Sequence, residues 1–333
     1  MTPDAATDRR ARLLGLKLRA LVRDHLSDQT VGEPVEFAPG SALLHGDVAW
    51  VLLDAQPTHR LGAALAWATR EGAGELHVIT EAGSGVLARR AAELTTPITV
   101  WHADERTLWP AVPEPFLPEP PVPPAHVRLR ELIVAGGADP IEEHGVLAGE
   151  VRGLEVCRVV DDPVTGEPHL EVGIGAHDRE AFAMMHGGVT TAESLHRVVT
   201  TVEQHRRIDA PLHPFNRLAR ERLLRWQLVN EPSTIGAVSL DSVAPPVPRL
   251  NVKDAVPFVA AGRDEAGGCV VAVCSVGVDL DLIPFAADAR LAMEAGGDVV
   301  ARLVVVTPAR DRVNVTERLA GLLRRPCELA THG

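Results

Sequence analysis

DVAWVLLDA, Asp47–Ala55, is a near-continuous apolar run of strand length. A strand with one wet face alternates apolar and polar residues, whereas a strand buried on both faces reads as unbroken Val, Leu and Ala. Outward from it follow an amphipathic helix over His59–Glu71, a second strand at Glu75–Thr80, a helix over Ser84–Leu94 and a third strand at Ile98–His102. Buried strands separated by amphipathic helices predict a β-α-β-α-β series, with a parallel sheet covered on both sides.

The same order returns near the C-terminus. CVVAVCSV (Cys269–Val276) is a strand, Leu282–Met293 a helix, ARLVVVT (Ala301–Thr307) a strand, Val315–Arg324 a helix and Cys327–Ala330 a strand. Each series is preceded by an amphipathic helix, Asp8–Leu26 in the first case and Asn216–Asn230 in the second. The expectation is an α/β protein with duplicated β-α-β-α-β units and mainly parallel sheets, plus a central helix and β-hairpin segment.

Prolines divide the chain. WPAVPEPFLPEPPVPP (Trp109–Pro124) is too rich in proline to supply backbone donors to a helix or sheet, and reads as a stiff linker. The organisation expected is an N-terminal α/β unit (1–109), the linker (110–125), a central segment (126–211) and a C-terminal α/β unit (212–333). In the central segment, helices are expected near Val127–Ala135 and Pro140–Val151. Strands Leu154–Val160 and Leu170–Ile174 then flank the turn DDPVTGEP, which predicts an antiparallel hairpin, and helices follow at Arg179–His186 and Ala192–Arg207.

The net charge of −12 argues against a surface coated for phosphate binding, while leaving room for a local basic patch. Arg9, Arg10, Arg12, Lys17, Arg19 and Arg23 give the first helix a basic face, which reads as its solvated side. No apolar run approaches the roughly 20 residues needed to cross a bilayer, and the charged N-terminus is unlike a signal peptide. A cytoplasmic location is expected. Cys157, Cys269, Cys274 and Cys327 have no metal-binding spacing and read as small buried apolar residues.

The C-terminal third carries a family resemblance. ERLLRWQLVNEPSTIG (Glu221–Gly236), the strand AVSLDSV and the strand pair VPFVAAGRDEAGGCVVAVCSV (Val256–Val276) are followed by a helix and ARLVVVT. This order resembles the restriction-endonuclease-like fold of PD-(D/E)XK nucleases. In that family a hairpin presents carboxylates that hold a divalent metal, with a lysine nearby. The resemblance places the first acid at Val259 and the acid-x-lysine triplet at Val273, Cys274 and Ser275, so the catalytic pattern is missing. Glu221 alone matches, as the family's helix glutamate. The implication is a nuclease-like scaffold that works by binding a nucleic acid or a protein, a homodimer included, without a cofactor and without a membrane.

The alternative is a metal-dependent nuclease or phosphodiesterase that uses the central hairpin. Glu155 and Glu171 lie on paired strands, where two carboxylates on one face suit magnesium. His177, Asp178 and Arg179 follow at the end of the hairpin, in the sequence GAHDRE. Glu150 and the histidines His169, His186, His196, His205 and His213 crowd the same segment but lack a metal-binding spacing. EAGSG (Glu81–Gly85) reads as a tight βα turn.

Overall fold

The computed structural model describes residues 3–27, 30–175, 178–181, 192–207, 213–247 and 256–332. By internal contacts the chain forms two compact units that interleave in sequence. One comprises Met1–Phe116, Val278–Leu291 and Arg312–Cys327; the other Leu117–Gly277, Ala292–Asp311 and Glu328–Gly333.

The first sheet grows from the apolar run that opened the sequence reading. After helix α1 (Pro3–Leu26), strands β1 (Val35–Glu36), β2 (Gly40–His45) and β3 (Val48–Leu53) form an antiparallel series. Helix α2 (Leu61–Arg70) leads to β4 (Glu75–Thr80), and α3 (Ser84–Ala92) leads to β5 (Ile98–Asp104), both joined in parallel. Strand β6 (Thr107–Pro110) closes the edge antiparallel to β5. Five of the six residues of β3 are buried, which is why its sequence does not alternate. Leu18, Leu21 and Val22 of α1 pack with Leu43, Trp50, Leu52 and Ile79 of the sheet. Each such side chain contributes roughly 1.5–3 kcal/mol by leaving water.

The second unit begins with α4 (Pro124–Val127), α5 (Arg130–Ala135) and a four-stranded sheet. Its strands are β7 (Asp139–Glu143), β8 (Val146–Val151), β9 (Leu154–Asp161) and β10 (Pro168–Val172), antiparallel throughout. The hairpin at β9 and β10 is where the sequence predicts it. Pro140–Val151, expected to be helical, is instead the hairpin β7–β8. The cause is the pair His144-Gly145, whose φ values of 51° and 77° give a two-residue turn of the kind that reverses a strand. Arg152-Gly153, at 48° and 74°, repeats it between β8 and β9. Ile133 of α5 and Leu195, Val199 and Val202 of α6 (Ala192–His205) pack with Leu147, Leu154 and Val156 of this sheet.

Helix α7 (Arg220–Asn230) opens the third sheet, built from β11 (Ala237–Val243), β12 (Phe258–Asp264) and β13 (Cys269–Cys274), then α8 (Leu282–Ala295), β14 (Val300–Thr307), α9 (Asn314–Ala320) and β15 (Glu328–Thr331). The strands pair in chain order, β11–β12–β13 antiparallel and β13–β14–β15 parallel. Leu224 and Leu228 of α7 cover the face formed by Val270, Ala272 and Cys274, the alternate residues of β13.

The chain is thus a mixed α/β protein with three sheets, and the expectation of mainly parallel sheets does not hold. Parallel pairing is confined to β3–β4–β5 and β13–β14–β15, the places where a helix makes the crossover. Elsewhere neighbouring strands run antiparallel, most of them joined by short connections. Among the described residues, no helix is long and apolar enough to cross a membrane.

Candidate functional site

The central hairpin brings three of its expected residues together. Arg158 of β9 donates from Nε and Nη2 to the two carboxylate oxygens of Glu155, at 2.7 and 3.0 Å. Arg179 donates from Nε to Glu171 at 3.1 Å, and its Nη1 stands 3.6 Å from Glu155. Two carboxylates therefore face two guanidiniums. The hydrogen bond to Glu155 holds the Arg158 cation above its ordinary range, against burial. A metal bound by Glu155 and Glu171 would have to displace both arginines. Asp178 is exposed in the short helical stretch 178–181, and His177 and His186 lie outside the described residues. Among the described residues, no group of three or more His, Cys, Asp and Glu is placed to hold a metal ion.

In the C-terminal hairpin, Val259 of β12 pairs with Val273 of β13, and both are buried. Ser275 is buried just beyond β13, with its N–H donating to Val306. Burial pushes the Cys274 thiol up to about 12, so it stays protonated and is a poor nucleophile or metal ligand. The turn is shaped by Asp264, whose carboxylate accepts from the N–H groups of Ala266 and Gly268. Glu221 is buried in the first turn of α7.

Sequence reasoning missed a buried ionic network in the same unit. Arg222 and Arg225, one turn apart on α7, both reach Glu143 and Glu150, and both guanidiniums lie over the Phe258 ring. Burial would raise the Glu143 carboxyl, but Arg225 and Arg222 outweigh it and hold the group below its ordinary range. The pattern was legible only as an Arg-x-x-Arg pair on a helix. The two glutamates belong to a hairpin read as helix.

The most site-like feature lies at the carboxyl ends of the parallel strands of the third sheet. A cavity of about 860 Å³ opens there. Val276 just beyond β13, Pro308 and Arg310 just beyond β14, and His332 just beyond β15 line one side. Arg217, Arg220 and Leu224, before and on α7, line the other, with Arg207 beside them. Among the described residues, no carboxylate lines the cavity. Among the described residues, Arg217 and Arg220 have no acidic partner, and Arg310 has only Asp311, at 3.8 Å. In open α/β sheets ligands bind outside the carboxyl ends of the strands, and clustered guanidiniums suit an anion. The arginines are scattered between positions 207 and 310, so no charge run betrays them in the sequence.

The equivalent strand ends of the first sheet differ. Asp54 directly follows β3 and Glu81 directly follows β4, and α1 answers them with Arg10 and Lys17, each at 2.6 Å. The basic face of α1 is thus partly used in ion pairs. The EAGSG turn starts α3, with Gly83 at φ 65° and the backbone of Glu114 donating to Gly85. Comparison with known proteins finds no matching family model, no matching curated protein and no matching solved structure.

Proposed function

We propose that this protein is a non-catalytic, nuclease-fold relative that binds nucleic acid through the arginine-lined crevice at the carboxyl ends of β13, β14 and β15. The observation that carries the reading is the crevice itself, where Arg217, Arg220 and Arg310 line one cavity to which no carboxylate among the described residues contributes. Apolar Val259 and Val273 at the positions where a nuclease of this kind keeps its acids support binding over hydrolysis. The pairing of Glu155 and Glu171 with Arg158 and Arg179 weighs the same way against a magnesium site in the central hairpin. A cytoplasmic protein of net charge −12 would confine such contacts to a local patch.

The reading includes an internal duplication. Its support is the common order helix, antiparallel strands, β-α-β-α-β, with parallel pairing at the same place in both outer sheets. Buried Thr80 and Thr307 end the central parallel strand of each. In the first sheet the acids at the strand ends are paired with basic residues of α1, whereas arginines gather at the strand ends of the third.

Fluorescence anisotropy of a labelled single-stranded oligonucleotide, titrated at several salt concentrations, tests the proposal. The parent protein is expected to bind, and Arg217→Ala with Arg220→Ala to weaken binding about tenfold while lowering the salt slope by about 1 per contact removed. Undiminished binding by the double variant would remove the crevice from the function.

A further inference from the structure

Resting on the crevice reading above, we infer that the group held there is a terminal phosphate, at the end of a nucleic-acid strand or on a free nucleotide, in preference to the running backbone of a strand. The cations converge on one cavity of about 860 Å³, the size of a small-ligand site, and do not form a stripe along the surface. A backbone track needs charges repeated over many nucleotides, which a chain of net charge −12 does not offer. The other basic concentration, on α1, is tied down in part: Arg10 to Asp54, Lys17 to Glu81 and Arg19 to Glu33.

The lining also lacks what a sequence-tolerant strand binder uses. Successive bases are ordinarily stacked on aromatic side chains, and among the described residues no Phe, Tyr or Trp lines this cavity. What it offers is guanidiniums from two parts of the unit, Arg217 and Arg220 at the start of α7 and Arg310 beyond β14, together with apolar Leu224 and Val276. A phosphate monoester carries close to two negative charges at neutral pH and presents three acceptor oxygens, whereas a backbone diester carries one charge. Several guanidiniums gathered at one cavity gain more from the doubly charged group with three free oxygens than from the singly charged diester with two. The absence of lining carboxylates fits the same ligand, because an acid facing a dianion would repel it.

The experiment uses the full chain and four probes: one oligonucleotide with a 5′-phosphate, the same sequence with a 3′-phosphate, the same with hydroxyl ends, and a free nucleoside monophosphate. Binding is measured by calorimetry for the parent, Arg220→Ala and Arg310→Ala, with circular dichroism to show that the variants keep their fold. Terminal phosphate recognition predicts at least tenfold tighter binding of a phosphorylated probe than of the hydroxyl probe, lost in both variants, with a salt slope of about −2 for roughly three neutralised charges. Tight binding of the free nucleotide assigns the source to a small molecule; its failure beside a tight phosphorylated strand assigns it to a strand end. Equal binding of phosphorylated and hydroxyl strands, weakened alike by the variants, overturns the terminal phosphate and leaves nucleic-acid binding in place. Binding that neither variant alters, or none at all, overturns both.

Discussion

Leu94 and Leu323 face each other across an isolated antiparallel bridge. The N–H of Thr95 donates to the carbonyl of Leu322 at 2.7 Å, and the N–H of Arg324 donates to the carbonyl of Glu93 at 2.9 Å. Each leucine follows the last helix of its series, α3 or α9, and each is followed three residues later by a proline, Pro97 or Pro326. The exchange is reciprocal: the residue after one leucine binds the residue before the other. This is the reciprocal hydrogen bonding of an antiparallel pair.

Both leucines are buried, so truncation to alanine leaves a void on each side of the bridge. Leu94→Ala and Leu323→Ala are each expected to cost about 2–5 kcal/mol. Because they touch, the double variant should lose less than the sum, with a coupling on the order of 0.5–3 kcal/mol. Urea unfolding of the four proteins checks this; strict additivity would show that the two side chains do not share a contact.

The parallel core was legible because its physics is local. The apolar run at Asp47–Ala55 and its C-terminal counterpart Cys269–Val276 need their faces covered, which α1 does for the first sheet and α7 for the third. What escaped was set by single turns and by long-range contacts. His144-Gly145 converts PIEEHGVLAGEV, rich in helix formers, into a hairpin through two residues with positive φ. Glu155 and Glu171 lie on paired strands, but Arg158, which the sequence reading did not consider, and Arg179, which it took for a member of the site, are their ion-pair partners. The crevice arginines come together only when three strand ends and a helix are assembled.

The buried network on α7 gives a second expectation. Arg225 and Glu150 are almost wholly buried, so Arg225→Ala leaves carboxylates without one of their two cations and should cost about 3–5 kcal/mol. Arg312 and Glu317 form an exposed ion pair at 2.7 Å, and Arg312→Ala should cost at most about 1 kcal/mol. Unfolding midpoints that ranked the two variants the other way would contradict the burial of the Arg225 pair.

Gly153 and Gly166 both have positive φ, 74° and 72°, but differ in what surrounds them. A Cβ at Gly153 would stand 2.3 Å from the carbonyl oxygen of Arg222, whereas at Gly166 nothing lies within 4 Å. Gly166→Ala pays only the left-handed backbone penalty, about 1–2 kcal/mol. Gly153→Ala must also push the hairpin from α7, and should lose about 1–3 kcal/mol more. Equal losses would place the contact with α7 in error.

Asp281 is the site of a pH dependence opposite to that of a typical paired carboxylate. It is buried and accepts hydrogen bonds from the Gly62 N–H at 2.9 Å and from Arg90 at 2.9 Å, with Asp288 and Asp279 close by. Burial outweighs these partners and pushes its carboxyl up to about 7, while burial raises Asp279 as well. The unfolded chain titrates near the ordinary value of about 3.9. Between those two values the folded protein holds a proton that the unfolded chain has released. Stability from this group is therefore full at low pH, falls as pH rises from about 4 to about 7, and is constant above, with a slope of at most about 1.4 kcal/mol per pH unit. Asp281→Asn keeps an acceptor for Gly62 and cannot titrate. Chemical unfolding at pH 5, 6, 7 and 8 should show the parent losing stability relative to this variant between pH 5 and 7 and no further change at 8. Parallel pH profiles for the two proteins would mean that Asp281 is ionised throughout and that Arg90 prevails over burial.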